Sequence, residues 1–124
     1  MGLDHHRVSN TVSRALSGPG GVALVVKVFA GVPGVTYTPA RRGLFAKSPE
    51  RVQIGDWRYE LAPDGRLRAA HLVHGIVIAE ESLDAAVVGP HLSRALGQVV
   101  NQYGETILPS IDAALDALSA STGD

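Results

Sequence analysis

The stretch from Arg51 to Glu80 constrains the fold of this chain more than any other part of the sequence. Two strand-like segments, Arg51–Leu61 and Arg66–Glu80, flank the sequence Ala62-Pro63-Asp64-Gly65. Proline presets its own φ and glycine readily adopts a left-handed conformation, so these four residues are typical of a tight turn. We therefore predict an antiparallel hairpin, with a bulge at Gly55-Asp56 because the apolar residues change sides there.

The elements on either side of this hairpin are predicted from the spacing of their apolar residues. A helix over residues 4–17 and two strands over residues 22–30 and 35–38 precede it. After a short helical turn at Ser82–Val88, a long helix is predicted to open at Gly89-Pro90, because proline suits the first helical position. Its apolar stripe is predicted to face the sheet and consists of Leu92, Ala95, Leu96, Val99, Val100, Tyr103 and Ile107.

A second C-terminal helix is predicted beyond Pro109, which breaks or kinks the first one. This order predicts one α+β domain over residues 1–124, with an antiparallel sheet of about four strands. An N-terminal helix and two C-terminal helices flank the sheet, and residues 120–124 are expected to fray. The 45% of hydrophobic residues is enough for a folded core and excludes a disordered chain.

The predicted strand Arg66–Glu80 is apolar on both faces in its second half. A strand of this kind is normally covered on both faces. Because a chain of 124 residues has few helices to supply that cover, we expect a partner to supply part of it. The sequence therefore predicts self-association, as a homodimer, through an apolar sheet face or through the long C-terminal helix.

Composition excludes several classes of function. The formal net charge is −1, which argues against binding to nucleic acid. The absence of cysteine excludes disulfides, thiolate metal sites and cysteine nucleophiles. No apolar run is long enough to span a membrane, and the N-terminus lacks the pattern of a signal peptide, so a cytoplasmic location is expected. Nine arginines against two lysines suggest a GC-rich bacterial genome.

Four residues of the hairpin are candidates for lining a ligand pocket between sheet and helices: Trp57, Tyr59, His71 and His74. His71 and His74 are three residues apart, and on a strand this spacing directs the two side chains to opposite faces. The sequence therefore predicts neither a metal site nor a cofactor. His91 is expected to stay neutral, because it lies at the positive end of the long helix.

A basic segment between the predicted strands is the second candidate site. Its cationic residues, which could bind an anion or an acidic partner, are Arg41, Arg42, Lys47 and Arg51. The ordinary alternative is a solvated loop. No motif places a serine beside a catalytic base, so no catalytic residue is assigned.

These observations favour a small non-enzymatic interaction or adaptor protein whose partner is a second copy or another protein. The alternative is a small-ligand-binding protein or an enzyme, with its pocket near His71 and His74.

Overall fold

An antiparallel sheet with helices on one face forms the described part of the chain. The computed structural model describes residues 3–17, 21–39, 41–43, 47–48, 50–62 and 66–121. The helices are α1 (His5–Leu16), α2 (Gly21–Val28), α3 (Ala85–Tyr103) and α4 (Leu108–Ser121). The strands are β1 (Val35–Thr38), β2 (Arg41–Arg42), β3 (Lys47–Ser48), β4 (Arg51–Ile54), β5 (Trp57–Leu61), β6 (Leu67–Val73) and β7 (Ile76–Leu83).

Five of these strands form one sheet in the order β1-β4-β5-β6-β7, and every neighbouring pair is antiparallel. Strands β2 and β3 form a separate two-stranded ribbon. The predicted α+β fold is confirmed: along the chain, an N-terminal helix precedes the strands of the antiparallel sheet, and two C-terminal helices follow them. Within the described residues the main sheet has five strands rather than about four.

The strand predicted over residues 22–30 is wrong, because this segment forms α2 and a 3-10 turn, Phe29–Gly31. Val25, Phe29 and Val32 are each no more than 2% exposed, and their spacing of four and three residues is helical. A short, continuously apolar segment suits a buried helix as well as a buried strand. Burial in the core, rather than the β-branched composition, decides its conformation.

The bulge predicted at Gly55-Asp56 is also wrong, because these two residues form the turn between β4 and β5. Ile54 pairs directly with Trp57, and Gly55 has a φ of +61°. Glycine at the first central position is typical of a tight hairpin turn whose twist matches that of the strands. The predicted turn at residues 62–65 lies between β5 and β6, where Ala62 N–H donates to Arg66 O, but residues 63–65 lie outside the described part.

The predicted strand Arg66–Glu80 folds back on itself at His74-Gly75, so it contributes both β6 and most of β7. His74 has a φ of +53° and Gly75 a φ of +79°. Two successive left-handed residues are typical of a type I′ hairpin turn. Because β7 extends to Leu83, the helical turn predicted over Ser82–Val88 is wrong for its first residues.

The long helix α3 begins at Ala85, before the predicted start at Gly89-Pro90. It ends at Gly104, whose φ of +89° is left-handed and whose N–H donates to Val100 O at 2.7 Å. The break between the two C-terminal helices therefore lies at Gly104, and Pro109 lies in the first turn of α4. Residues 120 and 121, predicted to fray, belong to α4, and residues 122–124 lie outside the described part.

The core lies between the helices and one face of the sheet. The cross-strand pairs Val52–Tyr59 and Tyr59–Ala69 are buried on that face. The predicted stripe of α3 is buried from Leu92 to Val100, but Tyr103 is 52% exposed, so its place in the stripe is wrong. Ile107 is buried, but it lies beyond α3 in a 3-10 turn, so its place in the α3 stripe is wrong too. Arg7 of α1 joins the N-terminal helix to α4 through ion pairs with Asp112 and Asp116, both at 2.7 Å.

Candidate functional site

The end of the β6–β7 hairpin projects beyond the rest of the sheet. Strand β5 begins at Trp57, which pairs with His71, and the last contact on that side is Leu72 N–H donating to Asp56 O at 2.8 Å. Residues 73–78, here called the arm, therefore form a two-stranded ribbon. Within the described residues the arm has neither a neighbouring strand nor a helix packed against it.

The arm is apolar and exposed. Its large aliphatic side chains are Val73 (39% exposed), Ile76 (66%), Val77 (39%) and Ile78 (59%). Val73 pairs with Ile76 and Leu72 with Val77, and successive cross-strand pairs point to opposite faces. The arm therefore exposes aliphatic side chains on both faces. This agrees with the sequence, in which both odd and even positions of this segment are apolar.

Strand β7 is also the outer edge of the sheet. Every residue from Ile76 to Ser82 is exposed, and no proline, glycine or lysine interrupts the strand. Proteins usually protect such an edge with proline, charge, a bulge or a covering element. Glu80 and Glu81 protect the inner half of β7, and a bulge lies beside Ile78, whereas the half nearest the turn has no charged side chain.

A second feature is an aromatic cluster beneath α3. The Trp57 ring stacks on His71 at 4.6 Å between centroids and meets the edge of His91 at 4.4 Å. Tyr59 contacts His91 edge to face at 5.5 Å. Three of the four predicted pocket residues thus lie together, but they contact one another and the imidazole of His91.

A series of polar contacts connects β5 to β7 through this cluster. The Tyr59 hydroxyl lies 2.7 Å from His91 Nδ1, and His91 Nε2 lies 3.5 Å from a Glu81 carboxylate oxygen. A neutral imidazole protonated on Nε2 satisfies both partners, with Nδ1 accepting from the tyrosine. Sequence reasoning noticed His91 but could not find this contact, because Tyr59 is 32 residues away.

Burial determines the protonation of Tyr59 and His91. It raises the pKa of the Tyr59 phenol far above its ordinary value, so the hydroxyl remains a donor. Burial also lowers the pKa of His91, with a smaller contribution from Arg94 in the same direction and an opposing one from Glu81. His91 is therefore neutral at pH 7, as predicted, although burial rather than the helix dipole is the main cause.

His74, the fourth predicted pocket residue, lies away from the cluster in the exposed turn of the arm. It makes no hydrogen bond, ion pair or ring contact with the residues that the structure describes. Because of this turn, His71 and His74 do not lie on one continuous strand. Their spacing of three residues therefore does not determine which faces of the sheet they occupy. No group of three histidine, aspartate or glutamate side chains within the described ranges could hold a metal ion.

The four cationic candidates fall into two groups. Arg41, Arg42 and Lys47 belong to the β2–β3 ribbon, and their side chains lie outside what the structure describes. Arg51 lies on the sheet face opposite the helices, with its Nε 3.5 Å from a carboxylate oxygen of Glu60. The same oxygen lies 3.4 Å from Arg58 Nε. The binding role predicted for the segment stays a prediction.

A shallow cleft, whose lining is largely apolar, lies between α1 and α3. His5 Nδ1 lies 2.5 Å from the hydroxyl of Ser93, which is itself only 2% exposed. The residues that line the cleft are His5, Ser9, Pro90, Ser93 and Arg94. The cation of this lining is Arg94, and a guanidinium group can bind a small anion.

Comparison with known proteins places the chain in a family. No helix among the described residues is long and apolar enough to cross a membrane. No curated protein and no solved structure matches the chain. A family model described as a domain of unknown function (DUF5073) matches residues 1–120, and the chain therefore belongs to that family.

Proposed function

We propose that this protein is a non-enzymatic interaction protein that self-associates through the arm. The observation that carries the proposal is the exposure of four large aliphatic side chains at the free end of an edge strand. Exposed apolar side chains grouped in one place mark interaction sites, whereas those scattered singly over a surface are ordinary. The arm groups its side chains within six consecutive residues, 73–78.

The energetics favour burial of the arm. Burying an aliphatic side chain completely contributes roughly 1.5–3 kcal/mol, so a side chain that starts about half exposed contributes roughly 1 kcal/mol. A stable interface buries about 800 Å² on each partner, and four half-exposed side chains supply only part of that. The interface therefore has to include the backbone edge of β7 and the residues beside it.

The other two interfaces predicted from the sequence have less support. On the sheet face opposite the helices, Arg51, Arg58 and Glu60 form an ion-paired group, and Arg68 pairs with Glu80 at 3.5 Å. Burying such charges against a partner is costly. Arg68 and Glu80 are the exposed side chains of this face next to the arm, and both are charged.

Among the described side chains of the long helix, the large apolar ones that are exposed are Val87 and Tyr103. They are 16 residues apart in the sequence, which corresponds to about 24 Å along the helix axis. Side chains this far apart do not form one patch. They are suitable control positions, because they are exposed and apolar but lie outside the arm.

The oligomeric state in solution tests the proposal. Light scattering behind size exclusion should give the wild type a mass approaching twice the 13.0 kDa of one chain at high micromolar concentration. The double variant Ile76→Ser/Ile78→Ser should be monomeric and folded, whereas the control Val87→Ser/Tyr103→Ser should dimerise like the wild type. A wild type that stays monomeric throughout, or a dimer lost only in the control, contradicts the proposal.

A bacterial and cytoplasmic setting is part of the same proposal. Its support is compositional: nine arginines against two lysines, and no cysteine, are compatible with a GC-rich genome and a reducing compartment. Detecting the native protein by antibody in the soluble fraction of fractionated source cells would support this setting. Its recovery only from membranes or culture medium would contradict it.

The cleft between α1 and α3 favours a second candidate function, the binding of a small anionic ligand. This position differs from the one predicted near His71 and His74, of which His71 stacks on Trp57 and His74 lies in the exposed turn of the arm. Arg94 is exposed and has no hydrogen bond or ion pair with the described residues. A guanidinium in this position can bind phosphate or carboxylate.

Titration with inorganic phosphate, followed by NMR, tests this second candidate. Phosphate should change the amide chemical shifts of His5 and Ser93 in the wild type but not in Arg94→Gln. Arg14→Gln, on α1 and outside the lining of the cleft, is the control. Unchanged shifts at millimolar phosphate would exclude the cleft as an anion site.

A further inference from the structure

We propose that His91 is a protonation switch that changes the partner by which α3 is held to the sheet. The neutral imidazole is held mainly by Tyr59 of β5 inside the core, and the imidazolium is held mainly by Glu81 of the outer strand β7. The switch lies within the fold of a single chain, so it is independent of the proposed self-association.

His91 connects three elements of the fold. It lies on α3, and only 7% of the residue is exposed. Its Nδ1 lies 2.7 Å from the Tyr59 hydroxyl, and its Nε2 lies 3.5 Å from a carboxylate oxygen of Glu81. Tyr59 is fully buried, whereas the side chain of Glu81 is 58% exposed. The imidazole therefore lies between one partner that solvent does not reach and one that it does.

The neutral state has one arrangement that satisfies both contacts. An ionised carboxylate only accepts hydrogen bonds, so Nε2 has to carry the proton that faces Glu81. Nδ1 is then an acceptor, and the Tyr59 hydroxyl donates to it. The opposite tautomer would direct the lone pair of Nε2 at the carboxylate. The two partners thus select the Nε2-protonated ring.

A second proton on His91 reverses the relative strength of the two contacts. The imidazolium has two donors and no acceptor, so the Tyr59 hydroxyl would have to accept from Nδ1. The proton of the hydroxyl then loses its acceptor, because Tyr59 makes no second hydrogen bond with the described residues. At Nε2 the contact with Glu81 becomes an ion pair, and hydrogen bonds between charged groups are the stronger kind. Protonation therefore weakens the contact with β5 and strengthens the contact with β7.

Other titratable groups near His91 do not replace either partner in the described part of the chain. Burial lowers the pKa of His91, Glu81 raises it, and Arg94, further along the same helix, lowers it. His71 of β6 stacks on the ring of Trp57, which also contacts His91.

Helix α1 also packs against α3, and its titratable group at this contact is His5. The His5 ring is bonded to Ser93, which lies two residues beyond His91 and so on nearly the opposite side of the helix. Glu81 is therefore the anionic group that favours the charged form of His91.

The position of Glu81 gives the switch its structural consequence. Glu81 belongs to the outer strand of the sheet, and the same strand continues into the arm. Its neighbour Glu80 points to the other face, where it pairs with Arg68. The protonation state of His91 thus determines how firmly α3 holds the outer strand. Acidification tightens this contact and loosens the buried one.

An NMR titration of the histidine rings tests the switch, because two substitutions should move the His91 midpoint in opposite directions. Tyr59→Phe removes the donor that favours the neutral ring, so the acid dissociation constant of His91 should fall about two- to tenfold, the effect of one hydrogen bond. Glu81→Gln removes the charge that favours the imidazolium, so the constant should rise about 1.5- to fivefold, the effect of a partly exposed ion pair.

Glu80→Gln is the matched control for the charge, because Glu80 is adjacent on the same strand but its side chain lies on the other face. It should leave the His91 midpoint unchanged. In the wild type, the ring-nitrogen shifts should identify the Nε2-protonated tautomer at neutral pH. The carboxyl carbon of Glu81 should show a step at the same midpoint as His91, and the carboxyl carbon of Glu80 should not.

Several outcomes would overturn the switch. These are a midpoint that moves in the same direction in both variants, an unchanged midpoint in Glu81→Gln, an Nδ1-protonated ring in the wild type, and a ring that stays neutral until acid unfolds the protein. Glu81→Gln changes an exposed side chain, so the test remains decisive even if Tyr59→Phe does not fold. None of these outcomes depends on the oligomeric state, so the proposed function is tested separately.

Discussion

Replacing Tyr59 by phenylalanine removes one hydroxyl group from the core and leaves the ring in place. Tyr59 is fully buried, and its hydroxyl lies 2.7 Å from His91 Nδ1. The variant leaves Nδ1 buried without its donor, which costs about 1–3 kcal/mol of unfolding free energy. With an unfolding entropy of about 2.1 cal/mol/K per residue, the melting temperature should fall by about 4–12 °C.

A double-mutant cycle with His91→Leu separates the hydrogen bond from other effects of each substitution. The single variant His91→Leu leaves the Tyr59 hydroxyl buried without its partner and should cost a similar amount. The double variant leaves neither group unpaired, so it should cost less than the sum of the two, by a coupling energy of about 0.5–3 kcal/mol.

Urea unfolding, followed by circular dichroism, measures all four proteins of the cycle. Equal m-values among them would show that the unfolded states are comparable. Strict additivity of the two single variants would refute the argument. A change of less than about 0.5 kcal/mol in Tyr59→Phe, the size expected for an ordinary surface substitution, would refute it as well.

Three further predictions concern the core, the pH dependence and the basic segment. Leu96→Ala, at a fully buried position of α3, should cost about 2–5 kcal/mol and lower the melting temperature by about 8–19 °C, whereas Gln98→Ala, exposed on the same helix, should leave it unchanged. Because burial lowers the pKa of His91 below its ordinary 6.5, the unfolded chain binds more protons there, and this contribution to stability is lost as the pH falls below about 6.5. Calorimetry from pH 7.5 to about pH 5 should therefore show a larger loss for the wild type than for His91→Leu, and equal losses would contradict the assignment. The sequence interpretation of residues 41–51 as a solvated segment predicts that Arg41→Ala/Arg42→Ala keeps the wild-type melting temperature, because surface charges contribute at most about 1 kcal/mol each. A loss of many degrees would show that these arginines are structural.

The parts of the fold that were predictable are those in which local spacing and packing agree. The stripe containing Leu92, Leu96 and Val99 has helical spacing, and the core buries each of these residues. The turn sequence at residues 62–65 predicted the β5–β6 hairpin, and Ala62 N–H donates to Arg66 O where that hairpin closes. In both cases the local signal does not depend on any distant contact.

The error at α2 has a physical cause. Its sequence, Gly21–Val28, is almost entirely apolar, so neither a period of two nor a period of 3.6 stands out. β-Branched residues favour strands only modestly, and tertiary packing easily overrides that preference. Val25 and Phe29 lie in the same core as α1, α3 and α4, a fact that requires the positions of the other helices.

The candidate site was predictable in outline only. The sequence places apolar residues at both odd and even positions of the segment that forms β6 and β7, and the structure exposes such residues on both faces of the arm. The position of the turn was missed because His74-Gly75 is not among the asparagine–glycine or aspartate–glycine pairs that usually mark a type I′ turn. The contact of Tyr59 with His91 joins a strand to a helix and has no local signal.

Hydrogen exchange of the wild-type protein at two concentrations tests the central claim, self-association through the arm, most directly. Exchange followed by mass spectrometry at low and at high micromolar concentration compares the same amides in both states. Peptides covering residues 73–80 should become more protected at the higher concentration, while those covering Val87 and Tyr103 should not change. Exchange in the arm that is independent of concentration, or new protection confined to α3, would contradict the account.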